Sequence, residues 1–330
     1  MTCKRPTTVV VAALMLVASL TACSSQKPSA TGSNSAPKHI TFISGAIGND
    51  FYTSISCGIK AEAKKYNYVV DTTGPASFDA SLQTPIVDSV TAKQPDAVLI
   101  APDDAKAMVG PLRNMVKAGI PVGLVDTALS DTSVAFTHIS SDNVQVGEMA
   151  AQEINTLLGG NGSVLVLALN PGISTSAQRV QGFESKLKQY TGIHETSLQF
   201  TQDDPTKAAS IVASVLSAHP DLGAIFAIDN LNAVGAATGL RNAHAAGQVK
   251  VVGVGGAAKQ IEDLKSGAVT ALIAQSPYLI GQTGVDFISK KLSGQPVPSN
   301  SITPLGIVTL KNLNDPQTQQ KFIYKTNCVG

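Results

Sequence analysis

The chain has 330 residues, 43% of them hydrophobic, with no tryptophan and a formal net charge of +1. This length allows one large or two medium domains, and the apolar share can build cores but is too low for a polytopic membrane protein. Nearly balanced charges leave no strong basic field, which argues against nucleic acid as a partner.

The chain opens with Lys4 and Arg5, then an almost wholly apolar run from Val9 to Leu20, then Leu20-Thr21-Ala22-Cys23. That order predicts a signal peptide over residues 1–22, with an apolar run too short to span a bilayer as a mature helix. A cysteine directly after a small residue resembles a lipobox, the site where bacterial lipoproteins are lipidated and cut. Cys23 is therefore the expected lipidation site; an ordinary secretory signal with a chance cysteine is the alternative. Cleavage there removes Lys4 and Arg5 and turns the formal charge from +1 to −1. Residues 23–38 are rich in Ser, Thr, Gly, Pro and Asn and read as a flexible tether reaching about 20 Å. The body is thus expected outside the cytoplasm, held to the cell membrane through its lipid alone. Cys3 leaves with the signal, so Cys57 and Cys328 remain; in an exported chain they read as a disulfide, with two buried thiols as the alternative.

From His39 onward, short β-branched runs alternate with amphipathic helical patterns. The predicted strands are 40–44, 68–71, 97–101, 121–125, 134–139, 163–167, 194–201, 224–228, 250–254 and 271–275. The predicted helices are 52–66, 82–92, 107–118, 143–158, 177–190, 206–218, 232–245 and 258–266; in the first, Ile55, Ile59 and Ala63 share one face. Such alternation predicts α/β structure with parallel sheets. A segment also recurs. Asp96–Ala101, Leu112-Arg113-Asn114 and Ala118-Gly119 lead to a strand ending at Val125. Gly223–Ile228, Leu240-Arg241-Asn242 and Ala246-Gly247 lead to one ending at Val254. Two similar doubly wound domains in tandem are the economical reading. The loops after the strands carry Asn49, Asp50, Asp103, Asp104, Asp126, Thr127, Asn170, Asp229 and Asn230, at the end of a sheet where ligands bind in open α/β folds.

Six stretches in order resemble the ribose-type sugar-binding proteins of ABC importers, within the type I periplasmic binding proteins. They are Gly48–Tyr52, Ala118–Val122, Ile139–Asn143, Arg179–Phe183, Ala218–Asp221 and Ile273–Gln275. The resemblance implies two doubly wound parallel-sheet (Rossmann-like) lobes joined by a three-strand hinge. The crossings are expected near 140–143, 274–276 and 304–307. The first lobe would hold 39–140 plus 276–304, the second 141–275 plus 305–312, and a tail of 313–330 would return to the first. It also implies a monomer that captures a monosaccharide or polyol without turnover and hands it to an ABC permease and its ATPase, with no cofactor and no metal.

A sugar needs planar polar partners for adjacent hydroxyls and aromatic faces for its C–H groups. By motif position the resemblance assigns Asn49, Phe51 and Tyr52 to the first-lobe wall, with one of the two aromatics touching ligand and the other packing in the core. It assigns Asp126 and Arg179 to ligand hydroxyls, against a turn aspartate and an exposed helix arginine as the alternatives. Asp203, Asp229 and Gln275 complete the set. Three departures stand out. Val254-Gly255-Gly256 lies where a carboxylate is usual, Thr127 where ribose binders carry a second arginine, and Asp203 where they carry a stacking aromatic. They predict a less aromatic site and a best ligand other than ribose.

Three rivals remain. An enzyme would need a nucleophile elbow, a phosphate loop or metal-spaced histidines, and His138, His194, His219 and His244 are scattered. A sugar-responsive repressor would need a helix-turn-helix where the signal and tether stand. A receptor presenting ligand to a membrane sensor is not separable from an importer by sequence.

Overall fold

The computed structural model describes residues 36–328. The signal peptide, Cys23 and most of the tether fall outside the described residues. Continuous apolar runs form strands buried on both faces, as parallel sheets require. The first lobe runs β1 (His39–Ile43), α1 (Asp50–Ala63), β2 (Val69–Thr73), α2 (Ala80–Lys93), β3 (Ala97–Ile100), α3 (Val109–Lys117), β4 (Val122–Val125) and β5 (Thr137–Ser141). The second runs α4 (Asn143–Leu157), β6 (Gly162–Ala168), α5 (Ser174–Leu187), β7 (Ile193–Phe200), α6 (Pro205–Ala218), β8 (Ala224–Ala227), α7 (Asn230–Asn242), β9 (Lys250–Val254), α8 (Ala258–Lys265) and β10 (Ala271–Ala274). Then follow α9 (Pro277–Leu292), β11 (Asn300–Thr303), β12 (Gly306–Val308) and α10 (Pro316–Phe322).

The sheet orders are β11-β5-β4-β3-β1-β2 and β12-β10-β9-β8-β6-β7, parallel throughout except for β12. Each contains the doubly wound 2-1-3-4-5 order, so the two-lobe α/β fold expected from sequence is present. The repeated segments become β3-α3-β4 and β8-α7-β9, with Leu112 and Leu240 fully buried at matching positions. The backbone passes between the sheets after β5, after β10 and between β11 and β12. Hydroxyls join these passages. Ser141 Oγ lies 3.3 Å from Thr303 Oγ1, and Ser276 Oγ donates to the Pro304 carbonyl at 3.1 Å.

Four elements escaped the periodicity analysis. β11 is polar and β12 has three residues, too short for an alternating pattern. α10 has only seven residues. α9 carries Gly281 and Gly284, which weaken a helix signal. Gly281 has a packing reason: a Cβ there would strike the Ile55 carbonyl, and one at Gly58 would strike that of Tyr278. The same device joins α4 to α5 through Gly147 and Gly182.

The tail stays with the second lobe longer than expected, because Leu313, Phe322 and Ile323 pack in that lobe's apolar core. Only from Tyr324 does it join the first-lobe core, ending in the disulfide between Cys328 and Cys57 of α1, with Cα atoms 4.7 Å apart. Among the described residues no helix is long and apolar enough to cross a membrane.

Candidate functional site

The carboxyl ends of both sheets meet at a narrow cleft with about 40 Å³ of free volume, lined by residues of both lobes. The structure brings Asn49, Phe51, Tyr52, Asp126, Arg179, Asp203, Asp229 and Gln275 together on its walls. The lobes touch around it: Asn49 Nδ2 donates to Asn230 Oδ1 at 3.4 Å, and the Ala128 amide donates to Ser174 Oγ at 2.8 Å.

Asp126 follows β4 in a left-handed conformation, φ 62°, which non-glycine residues rarely adopt. Its neighbours over-determine that strain. The Asp126 amide donates to the Ile139 carbonyl at 2.8 Å, and its carbonyl accepts from Ser140 Oγ at 2.8 Å and faces His138 Nε2 at 3.1 Å. His138 is thus a support for Asp126, and burial pushes its pKa down, which keeps the ring neutral. Tyr52 donates its hydroxyl to Asp126 Oδ2 at 2.9 Å. Asp126 Oδ1 is buried and has no hydrogen-bond partner among the described residues. Burial raises the Asp126 pKa, opposed by the Arg179 charge and the Tyr52 bond.

Arg179 projects from α5 and is 5% exposed. Its Nε donates to Asn143 Oδ1 at 2.9 Å, Nη1 to the Ile228 carbonyl at 2.6 Å and Nη2 to Gln275 Oε1 at 2.9 Å. Three of five guanidinium donors are engaged, leaving two for a ligand. Gln275 in turn donates to Ser141 Oγ at 3.1 Å, and Ser141 faces Thr303. A continuous hydrogen-bonded chain therefore links Arg179 in the cleft to all three interlobe passages.

Other polar groups double as caps. Asn49 Oδ1 accepts the Phe51 amide at the start of α1, and Asp229 accepts the Asn232 amide at 2.8 Å and Asn232 Nδ2 at 2.6 Å at the start of α7. Both Asp229 oxygens thus have protein partners as well as a place in the cleft. Asp203 lies in the loop after β7 at φ 57°, following Gln202 at φ 62°. Burial raises the pKa of Asp203 and Asp229, and for Asp203 the nearby Asp229 charge adds to it. The pair holds a proton more readily than ordinary carboxylates, so a neutral acid can donate to a ligand oxygen. Asp103, also on a strand-end loop, instead bonds Gln83 and the Asp79 amide behind the cleft, with its pKa pushed up to about 9 by burial.

The expectation of a less aromatic site is not met. Phe51 and Tyr52 both line the cleft, and Phe78 and Tyr324 join them. Phe51 packs edge-on to Tyr52 at 5.3 Å and to Tyr324 at 5.7 Å. Sequence reasoning also left out Leu169, Thr175 and Val254 as cleft residues, whereas Asn230 stood among the strand-end loop residues. Thr175 was findable, since it precedes Arg179 by one helical turn on the same face. Phe78 and Tyr324 come from irregular segments that carry no periodicity signal. Among the described residues no cluster of His, Cys, Asp and Glu is arranged to hold a metal.

Two lobes, a hydroxyl-laced hinge and one polar, aromatic-walled cleft define a hinge-closing binding protein. Residues 40–296 match the model of the periplasmic binding protein domain, and the chain belongs to that family. It is 32% identical over 299 residues to the ribose import binding protein of Bacillus subtilis, covering 88% of this chain and 95% of the relative. A solved ABC transporter solute binding protein from Agrobacterium vitis, bound with alpha-D-tagatopyranose, superposes with a TM-score of 0.85 at 35% identity, covering 87% of this chain and 99% of that one. A second from the same organism, with bound D-fucose, gives a TM-score of 0.83 at 26% identity, covering 86% and 99%. The family binds rather than transforms its ligands.

Proposed function

We propose that the protein is an extracytoplasmic solute-binding protein that captures a monosaccharide or polyol by lobe closure and delivers it to an ABC permease and its ATPase. Asp126 is the observation that carries this reading. A buried carboxylate oxygen without a partner is costly, and a ligand hydroxyl aimed into the cleft satisfies it. Arg179 and Gln275 complete a bidentate polar wall, and Phe51, Tyr52, Phe78 and Tyr324 suit the apolar C–H face of a sugar. Ligand contacts reach both lobes only in the closed arrangement, so ligand favours closure by its differential affinity. Relatives described as binding ribose, tagatose and fucose support a monosaccharide. The protein acts as a monomer, held to the membrane by a lipid on Cys23.

A thermal-shift screen of pentoses, hexoses and polyols tests the proposal. A ligand at 100 times its dissociation constant adds about 2.7 kcal/mol. A carbohydrate that raises the melting temperature supports the reading; silence across the whole panel removes it.

A further inference from the structure

We propose that the C-terminal tail is a disulfide-locked strap that carries Tyr324 into the cleft as a specificity-determining wall. The inference rests on the carbohydrate reading of that cleft.

Tyr324 belongs to neither doubly wound unit, yet it lines the cleft with Asp126, Arg179 and Asp229. Three attachments hold it there. Its amide donates to the Gly256 carbonyl at 3.0 Å, in the loop after β9 of the second lobe. The next amide, of Lys325, donates to Ser54 Oγ of α1 at 3.1 Å, and Lys325 Nζ lies 4.0 Å from the centre of the Tyr278 ring, beside the second interlobe passage. Cys328 is bonded to Cys57, six residues beyond Phe51 on the same helix. The strap therefore grips both lobes, and its last grip is covalent. Gly256 makes room for it: a Cβ there would strike the Phe322 carbonyl. Where the loop after β9 offers only glycine, the tail supplies an aromatic ring instead.

The disulfide also fixes how far that ring can travel. Three residues lie between Tyr324 and Cys328, and the four steps of chain span at most about 14 Å. Tyr324 therefore stays within that reach of its anchor Cys57, on the helix that also carries Phe51, when the lobes part. Its ring offers a flat face suited to the C–H side of a cyclic sugar, whereas a linear polyol has no such face.

Calorimetric titration of the whole protein with D-ribose, D-tagatose, D-fucose and linear mannitol tests this. The variants are Tyr324→Ala, Tyr324→Phe and the pair Cys57→Ser with Cys328→Ser. Tyr324→Ala and the serine pair should weaken the best-bound ring sugar by roughly two- to tenfold. Mannitol should change less, and Tyr324→Phe should keep the ring-sugar affinity. The serine pair should also speed amide exchange at Tyr324 and Lys325 without ligand, a readout independent of sugar choice. Wild-type-like affinities and selectivity in both Tyr324→Ala and the serine pair overturn the inference while leaving the carbohydrate reading intact. A wild-type protein that binds none of these probes and no other pentose, hexose or polyol of the thermal-shift panel overturns both.

Discussion

Replacing Asp126 by Asn should separate binding from stability. The substitution keeps side-chain shape, and asparagine tolerates the left-handed backbone at φ 62° better than most residues. What it removes is a buried carboxylate with one oxygen bonded to Tyr52 and the other unpartnered. A hydrogen bond to a charged group contributes about 1.5–3 kcal/mol and a neutral one roughly half that. Losing the charge should therefore weaken sugar binding by about tenfold, and removing the side chain in Asp126→Ala by roughly 10- to 150-fold. Without ligand the asparagine variant should be as stable as wild type or more so. Burial raises the Asp126 pKa, so ionising it costs stability as pH rises from the ordinary carboxylate range through the raised value. The advantage of the variant should thus be largest at neutral pH and shrink near pH 4, where both chains are neutral at this position. Calorimetric titration and urea unfolding at the two pH values measure both effects. Undiminished affinity in the asparagine and alanine variants would refute the assignment of Asp126 to ligand.

Asp203 and Asp229 predict a further pH effect. Their pKa values are raised, so unliganded stability should fall as pH climbs from about 4 through those values, and Asp203→Asn should flatten the decline in a melting-temperature profile. A profile unchanged by the substitution contradicts the burial argument. Gly182→Ala should cost about 1–3 kcal/mol in urea unfolding, because its Cβ would meet the Val144 carbonyl. It should also weaken sugar binding, since the strained contact lies one turn from Arg179; wild-type stability would show that α4 and α5 have slack. Gln275→Ala should lower affinity by unseating Arg179 Nη2, and should alter closure because Gln275 also holds Ser141 at the hinge. Small-angle scattering with saturating sugar checks the second effect, and an unchanged ligand response argues against the hydrogen-bonded link.

The lobes were legible because parallel strands buried on both faces announce themselves as runs such as Ala97–Ile100 and Ala224–Ala227. The repeat around Leu112-Arg113-Asn114 and Leu240-Arg241-Asn242 marked corresponding α3 and α7 because each buried leucine has the same packing task. Cleft residues at strand ends were readable for the same geometric reason, Asp126 directly after β4 and Asp229 directly before α7. Elements defined by partners rather than by their own pattern were not. α9 hides its helical period behind Gly281, needed for contact with α1, and Gly284, packed on Leu99 of β3, and β11 is a polar strand paired with β5. Tyr324 was missed although the bond between residues 271 positions apart was expected, because that bond returns the tail to the first lobe without marking which of its side chains reaches the cleft. Tyr324 from the tail and Phe78 from the loop after β2 join the expected Phe51 and Tyr52 to wall the cleft with four aromatics.

The most direct test is a crystal structure of the protein with the best-bound sugar from the thermal-shift screen. One sugar molecule between the lobes, with a hydroxyl within hydrogen-bond distance of Asp126 Oδ1 and a second at Arg179, is the predicted result. A sugar seated outside the cleft, or within it but touching neither side chain, contradicts the claim that both lobes close on a shared hydroxylated ligand.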